Sequence, residues 1–240
     1  MRVCVIGNSH TACIKLAWDN WGREQFKNSE LTFYATRGAR IGTLYAKDGA
    51  LHSDEEEVRK NLGISSCGRT NVVLDEYDVC VLVGATPRLE EFVAGAVRQS
   101  RFYSEAVLER AWRCPMDKSL AKKLLNEIRK LSAIPVVALA KPNLAGEKDC
   151  KEIDRDAVER AGELMHEKCL ALGADLLLQP DRTVRDLIYT DPGFARGSRR
   201  LIRSGNERGE QDFGEDDVTH MNESFGRECL NEFMAMHASS

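Results

Sequence analysis

Arg2-Val3-Cys4-Val5-Ile6-Gly7-Asn8-Ser9-His10-Thr11-Ala12 is the stretch that decides the fold. Five residues of strand-forming type run into a Gly, as in a strand buried within a parallel sheet. Gly7 permits the sharp turn at the strand's end, and a helical pattern then begins. Ala12, Cys13, Leu16 and Ala17 recur at helical spacing, Trp18 and Trp21 close the element, and Asn20 and Gly22 suit its end. Ser9 therefore stands at the carboxyl end of a strand and at the mouth of a helix. Ligands of open α/β sheets bind at that place, where backbone N–H groups face any negative charge. The plainer role for Ser9 is to cap the helix.

The same rhythm continues along the chain. Leu31 to Ala35 is the second strand, leading into the Gly-containing loop Thr36 to Gly42. Asp48-Gly49 marks a small hairpin, and residues 53 to 75 are poorly patterned, so an excursion or a short irregular helix is expected there. Asp78 to Val83 is the clearest strand, followed by Gly84-Ala85-Thr86-Pro87. Helical segments are expected near Glu90 to Val97 and, interrupted at Pro115, from Ser104 to Leu131. In the latter Leu120, Leu124, Ile128 and Leu131 form one stripe and Asp117 is placed to cap. Val136 to Leu139 is the fourth strand. A helix from Asp154 to Leu172 stops at Gly173, and Asp175 to Leu178 is the fifth strand. Strands alternating with helices in this way predict one α/β domain over residues 1–240, a five-stranded parallel sheet covered on both faces.

Composition narrows the function classes. A net charge of -4 over 240 residues disfavours binding to nucleic acid, which needs a basic surface. No run is long enough to cross a membrane. The N-terminus enters a strand without the regions of a secretory signal. The eight cysteines are scattered without a C-x-x-C pair, as free thiols in a reducing compartment would be, so a cytoplasmic location and no metal site are expected. From Asp191 to Asp216 the pattern dissolves into a loop containing Arg196, Arg199, Arg200, Arg203 and Arg208. A loop of that length is usually functional or mobile. Either its arginines hold an anionic substrate, or its acidic neighbours balance them in a solvated loop. A last helix follows, with Phe225, Cys229 and Phe233 on one face.

Before that helix stands Asp217-Val218-Thr219-His220-Met221-Asn222. An acid three residues ahead of a His shares one side of a turn with it. The carboxylate can then hold one ring nitrogen and leave the other to take a proton from a hydroxyl. The plain alternative is a surface His beside an Asn222 helix cap. Glu163 and His166 have the same offset, but inside an amphipathic helix, where a surface pair is the natural reading.

Taken together, Gly7-Asn8-Ser9-His10 at the first strand and Asp217-x-x-His220 before the last helix, with Phe225-Gly226 following, resemble the SGNH/GDSL hydrolase family. The resemblance implies a flavodoxin-like three-layer α/β/α sandwich and a carboxylic-ester hydrolase without a cofactor. Its triad would be Ser9, His220 and Asp217, and its substrate a small-molecule or glycan O-acyl ester, with a short acyl chain. The oxyanion hole implied comprises the N–H of Ser9, a second-block Gly (Gly38, with Gly42 as runner-up), and the third-block position held by Thr86. Thr86 departs from the family's Asn, and losing such a donor typically costs on the order of 3 kcal/mol of transition-state stabilisation. Asn8 and His10 are candidate substrate contacts. Asn8 otherwise orders the turn, and His10 otherwise faces solvent at the helix start. The same triad would serve an O-acyltransferase, and a non-catalytic module of this fold binding a glycan or protein would suit the Thr86 departure. Dinucleotide binding fits poorly, because Ser9 stands where the fingerprint needs its second Gly. An α/β-hydrolase elbow fails because Thr11 replaces its last Gly.

Overall fold

The computed structural model describes residues 1–91, 93, 115–146, 155–200, 211–214 and 216–238. Its centre is a parallel sheet of five strands: β1 (Arg2–Gly7), β2 (Glu30–Ala35), β5 (Val79–Arg88), β6 (Val136–Lys141) and β7 (Asp175–Leu177). The order across the sheet is β2-β1-β5-β6-β7, and each neighbouring pair is parallel. Counting these strands alone, that is the 2-1-3-4-5 order of flavodoxin-like folds, whose switch point lies between the first and third strands.

The period of two along each strand divides the core. Val3, Val5, Val79, Val81 and Val83 face α1 (Thr11–Ala17) and the C-terminal helix α5 (Glu223–Ala238), packing on Cys13, Ile14, Phe225, Cys229 and Phe233. Cys4, Ile6, Cys80, Leu82 and Ala138 face the other way. There they meet α2 (Glu56–Ser65), α3 (Leu120–Leu131) and α4 (Arg155–Ala171) through Val58, Leu62, Leu124, Ile128, Ala161 and Met165. The fold is a three-layer α/β/α sandwich.

Four local expectations change. Residues 53 to 75 contain a regular helix, α2, because Val58 and Leu62 are one turn apart and fully buried. The first helix does not stop at Gly22. It runs on through a π turn, Trp18–Gly22, to Gln25, and Gly22 is required there because a Cβ would lie 2.6 Å from the Trp18 ring. Asp117 does not cap α3; Ser119 does, its hydroxyl accepting from the Lys122 N–H, while Asp117 pairs with the Lys122 ammonium. Gly84 to Thr86 does not leave the sheet as a loop but stays within β5, whose pairing with β6 shifts register between Val83 and Arg88. The hairpin at Asp48-Gly49 joins β3 (Tyr45–Lys47) to β4 (Ala50–His52), with both turn residues at positive φ. Most of the segment expected at Glu90 to Val97, and the first half of that expected from Ser104, lie outside the described residues, as do Arg203 and Arg208.

Candidate active site

Ser9 sits at the switch point. The Asn8 N–H donates to the Val83 carbonyl (3.3 Å), its side-chain amide donates to the Gly84 carbonyl (2.7 Å), and its Oδ1 accepts from the His10 N–H (3.1 Å). Asn8 is thereby engaged in ordering the turn while bordering the cavities beside Ser9. This closure admits only glycine opposite it. Gly84 has φ +67°, and a Cβ there would stand 2.2 Å from Asn8 Oδ1. Ser9 does not cap α1, which begins after His10 with no side-chain cap. Its Oγ lies instead 3.0 Å from Nε2 of His220.

The opposite half of the site is carried by α5. Asn222 caps that helix by accepting from the Phe225 N–H (3.2 Å), and its amide donates to the carbonyls of Gly193 and Arg196. Gly226 lets α5 lie directly on α1, since a Cβ at that position would come within 2.1 Å of the Cys13 carbonyl oxygen. The close approach of these two helices carries the segment before α5 over the end of β1, so residues 211 positions apart in the chain share a hydrogen bond.

Asp217 receives His220 from below. Its Oδ2 lies 2.8 Å from His220 Nδ1, and its Oδ1 accepts from the Thr219 N–H (2.7 Å), the Thr219 hydroxyl (2.7 Å) and the His220 N–H (3.0 Å). Burial opposes ionisation of this carboxyl, but the Thr219 and His220 donors outweigh it and hold the group well below the usual carboxylate range. A carboxylate only accepts, so Nδ1 carries the ring proton and Nε2 offers a lone pair to the Ser9 hydroxyl. Ser9, His220 and Asp217 thus form one hydrogen-bonded chain.

His10 does not face solvent. It is 7% exposed and stacks on His220 with centroids 5.2 Å apart. Its Nδ1 is buried and has no hydrogen-bond partner among the described residues. Burial first, then electrostatic coupling to His220, Lys141 and Arg88, pushes its pKa down to about 3. A second ring, Phe213, lies on His220 at 3.8 Å and 10° between planes, and the Arg200 guanidinium lies 4.5 Å above Phe213. Sequence reasoning gave Phe213 no role, for it sits in the patternless loop. Its only signal was an aromatic among charged residues, seven positions before His220.

Two cavities meet at Ser9, each bordered by Asn8, Ser9, Gly38 and His220. One, of about 430 Å³, extends past Lys15, Arg37, Asn61, Arg200 and Phe213. The other, of about 520 Å³, extends past His10, Gly84, Thr86, Arg88, Lys118 and Lys141. Gly38 opens a 3₁₀ turn and borders both, whereas Gly42 packs on α3, where a Cβ would meet Leu120 at 2.7 Å. Thr86 borders the second cavity, and its hydroxyl oxygen accepts from the Lys141 N–H (2.8 Å), standing in for a sheet carbonyl. Glu163, the acid beside the other candidate histidine, pairs with Arg160. Among the described residues no group of three or more His, Cys, Asp and Glu side chains is arranged to hold a metal ion.

The sheet order and helical layers define the class: a flavodoxin-like α/β/α sandwich with a Ser–His–Asp chain at its switch point. No family model matches the sequence, and no curated protein matches it. Among solved structures the chain is similar to the periplasmic domain of a lipopolysaccharide acetyltransferase from Salmonella ser. Paratyphi A. That match has 8% identity and a TM-score of 0.50, and covers 99% of this chain and 83% of that one. It is also similar to a lipase, Lip_vut3, from a goat rumen metagenome (10% identity, 98% and 96% covered, TM-score 0.47). An acetyl xylan esterase matches at 14% identity, with 98% and 99% covered and a TM-score of 0.43. At these identities the likeness is one of fold.

Proposed function

We propose that the protein is an SGNH/GDSL-type serine hydrolase acting on a small-molecule or glycan O-acyl ester, with Ser9 as nucleophile, His220 as general base and acid, and Asp217 as its orienting carboxylate. The 3.0 Å approach of His220 Nε2 to Ser9 Oγ carries the reading. The hydroxyl proton moves to Nε2 as Oγ bonds to the ester carbonyl carbon. Negative charge develops on the carbonyl oxygen and is received by the Ser9 and Gly38 N–H groups and the Thr86 hydroxyl proton. Collapse breaks the bond to the alcohol, which departs with the proton from Nε2. Water then adds to the acyl-serine with His220 again as base, releasing the acid and restoring Ser9.

The test is labelling by a fluorophosphonate probe, together with turnover of short-chain p-nitrophenyl esters. Labelling and turnover are expected in the native protein and absent from Ser9→Ala. Equal labelling of both proteins overturns the assignment.

A second reading has its own support. Ser9 stands between two cavities, so an acyl donor can occupy one and an acceptor hydroxyl the other. The acyl group then passes to that hydroxyl instead of water. The acetyltransferase of similar fold fits this version. Adding sugar alcohols during turnover distinguishes the two, since transfer diverts the acyl group into a new ester. A cytoplasmic location is part of the proposal, supported by free thiols at Cys4, Cys13, Cys67, Cys80, Cys169 and Cys229.

A further inference from the structure

We propose that the cavity running from Ser9 to Phe213 is an anion subsite, which selects esters carrying a carboxylate or phosphate group and grips that group between Arg37 and Arg200. The proposal deepens the esterase reading and rests on it for the placement of the ester at Ser9.

Among the described residues the charges bordering this cavity are Lys15, Arg37 and Arg200, and no Asp or Glu lines it. In a chain of net charge -4 this is a local reversal of sign, of the kind that draws in an oppositely charged ligand. Lys15 is paired with Asp19 at 2.6 Å, a carboxylate that it shares with Arg23. The other two cations are differently placed. Arg37 has no carboxylate partner among the described residues; it immediately precedes Gly38, at the head of the 3₁₀ turn that borders Ser9. Arg200 lies over the Phe213 ring, which lies in turn on His220. The stack holds the guanidinium beside the cavity without consuming its N–H donors. Two guanidinium groups that donate to no other described residue suit a carboxylate or phosphate, which they bind in bidentate fashion with charge-assisted hydrogen bonds. Neighbouring Arg40 shows the contrast, being paired with Glu57 and absent from the cavity wall.

The experiment measures binding to the Ser9→Ala protein by calorimetry, so that no turnover is needed. The probes are two matched pairs: mono-p-nitrophenyl glutarate against p-nitrophenyl pentanoate, and 2-acetoxyethyl phosphate against 2-acetoxyethanol. In at least one pair the anionic ester is expected to bind ten times more tightly or better, and the pair showing the gain identifies carboxylate or phosphate. The ratio is expected to fall towards one when Arg37→Gln and Arg200→Gln are combined, to shrink with added salt, and to persist in Arg40→Gln. A ratio near one in both pairs overturns the inference, as does a ratio that survives the double substitution. Ser9-dependent turnover of the neutral ester by the native protein reports separately on the nucleophile, so the two readings fail independently.

Discussion

Phe213 lies flat on the imidazole of His220, with centroids 3.8 Å apart and planes 10° from parallel. The contact joins the Arg-rich loop to the ring that faces Ser9. It limits rotation of an imidazole that Asp217 holds at Nδ1, Ser9 meets at Nε2 and His10 stacks on from elsewhere in the site.

Removing that ring tests its weight. Ring stacking contributes about 0.5–1.5 kcal/mol beyond buried area. Phe213→Ala is therefore expected to lower kcat by roughly two- to tenfold, and Phe213→Tyr is expected to restore it. An unchanged kcat in Phe213→Ala shows that the contacts with Asp217, Ser9 and His10 orient His220 without Phe213.

Asp217→Asn makes a sharper demand. The substituted amide keeps an acceptor for Thr219 but turns an N–H towards Nδ1 of His220. That favours the tautomer with its proton on Nε2, which cannot accept from Ser9. A loss of about 10⁴ in kcat is expected, by analogy with the same exchange in serine proteases. Fluorophosphonate labelling is expected to slow in parallel, and a loss below tenfold contradicts the proton relay.

His10 sets a pH dependence of stability. Its folded pKa of about 3 lies below the ordinary value of 6.5, so between these values the unfolded chain binds more protons. Its contribution is complete above 6.5 and is lost as pH falls towards 3, with a limiting slope of about 1.4 kcal/mol per pH unit. The depressed carboxyl of Asp217 acts in the same direction but lower, its contribution declining below the ordinary carboxylate pKa. Urea unfolding from pH 7 to 4.5 is expected to show the His10 limb in the native protein and a flatter one in His10→Phe. Equal limbs count against a buried neutral His10.

Gly226→Ala tests the helix contact that carries His220 to Ser9. A Cβ within 2.1 Å of a backbone oxygen forces α5 away from α1. Overpacking of this kind costs roughly 2 kcal/mol, or about 5 °C in Tm for a chain of this size. Labelling of Ser9 is expected to fall as well, because the imidazole moves with its helix. A melting temperature within a degree of the native value would show that the helices slide without cost.

Local pattern carried much of the architecture. The apolar runs at Val3 to Ile6 and Val79 to Val83 are strands because they are buried on both faces, and such burial leaves an unbroken apolar run in the sequence. Asp217 and His220 were legible for a related reason: the hydrogen bond between them spans one turn of chain, so spacing alone brings them together. The Arg-rich loop was not, since its balance of acids and bases says nothing about which arginine meets a carboxylate. Arg200 meets the Phe213 ring instead.

By itself, then, the chain determined the order of its strands and helices, and which residues carry an acid, an imidazole and a hydroxyl. Spatial neighbours across long stretches of chain were decided only by tertiary packing. Gly226 against Cys13 sets how close α5 comes to α1, and Asn8 against Gly84 sets where the turn after β1 points. Those contacts bring Ser9 within reach of His220, bury His10 and lay Phe213 across the imidazole. No periodicity encodes them, because each depends on the shape of a surface that exists only after the layers have assembled.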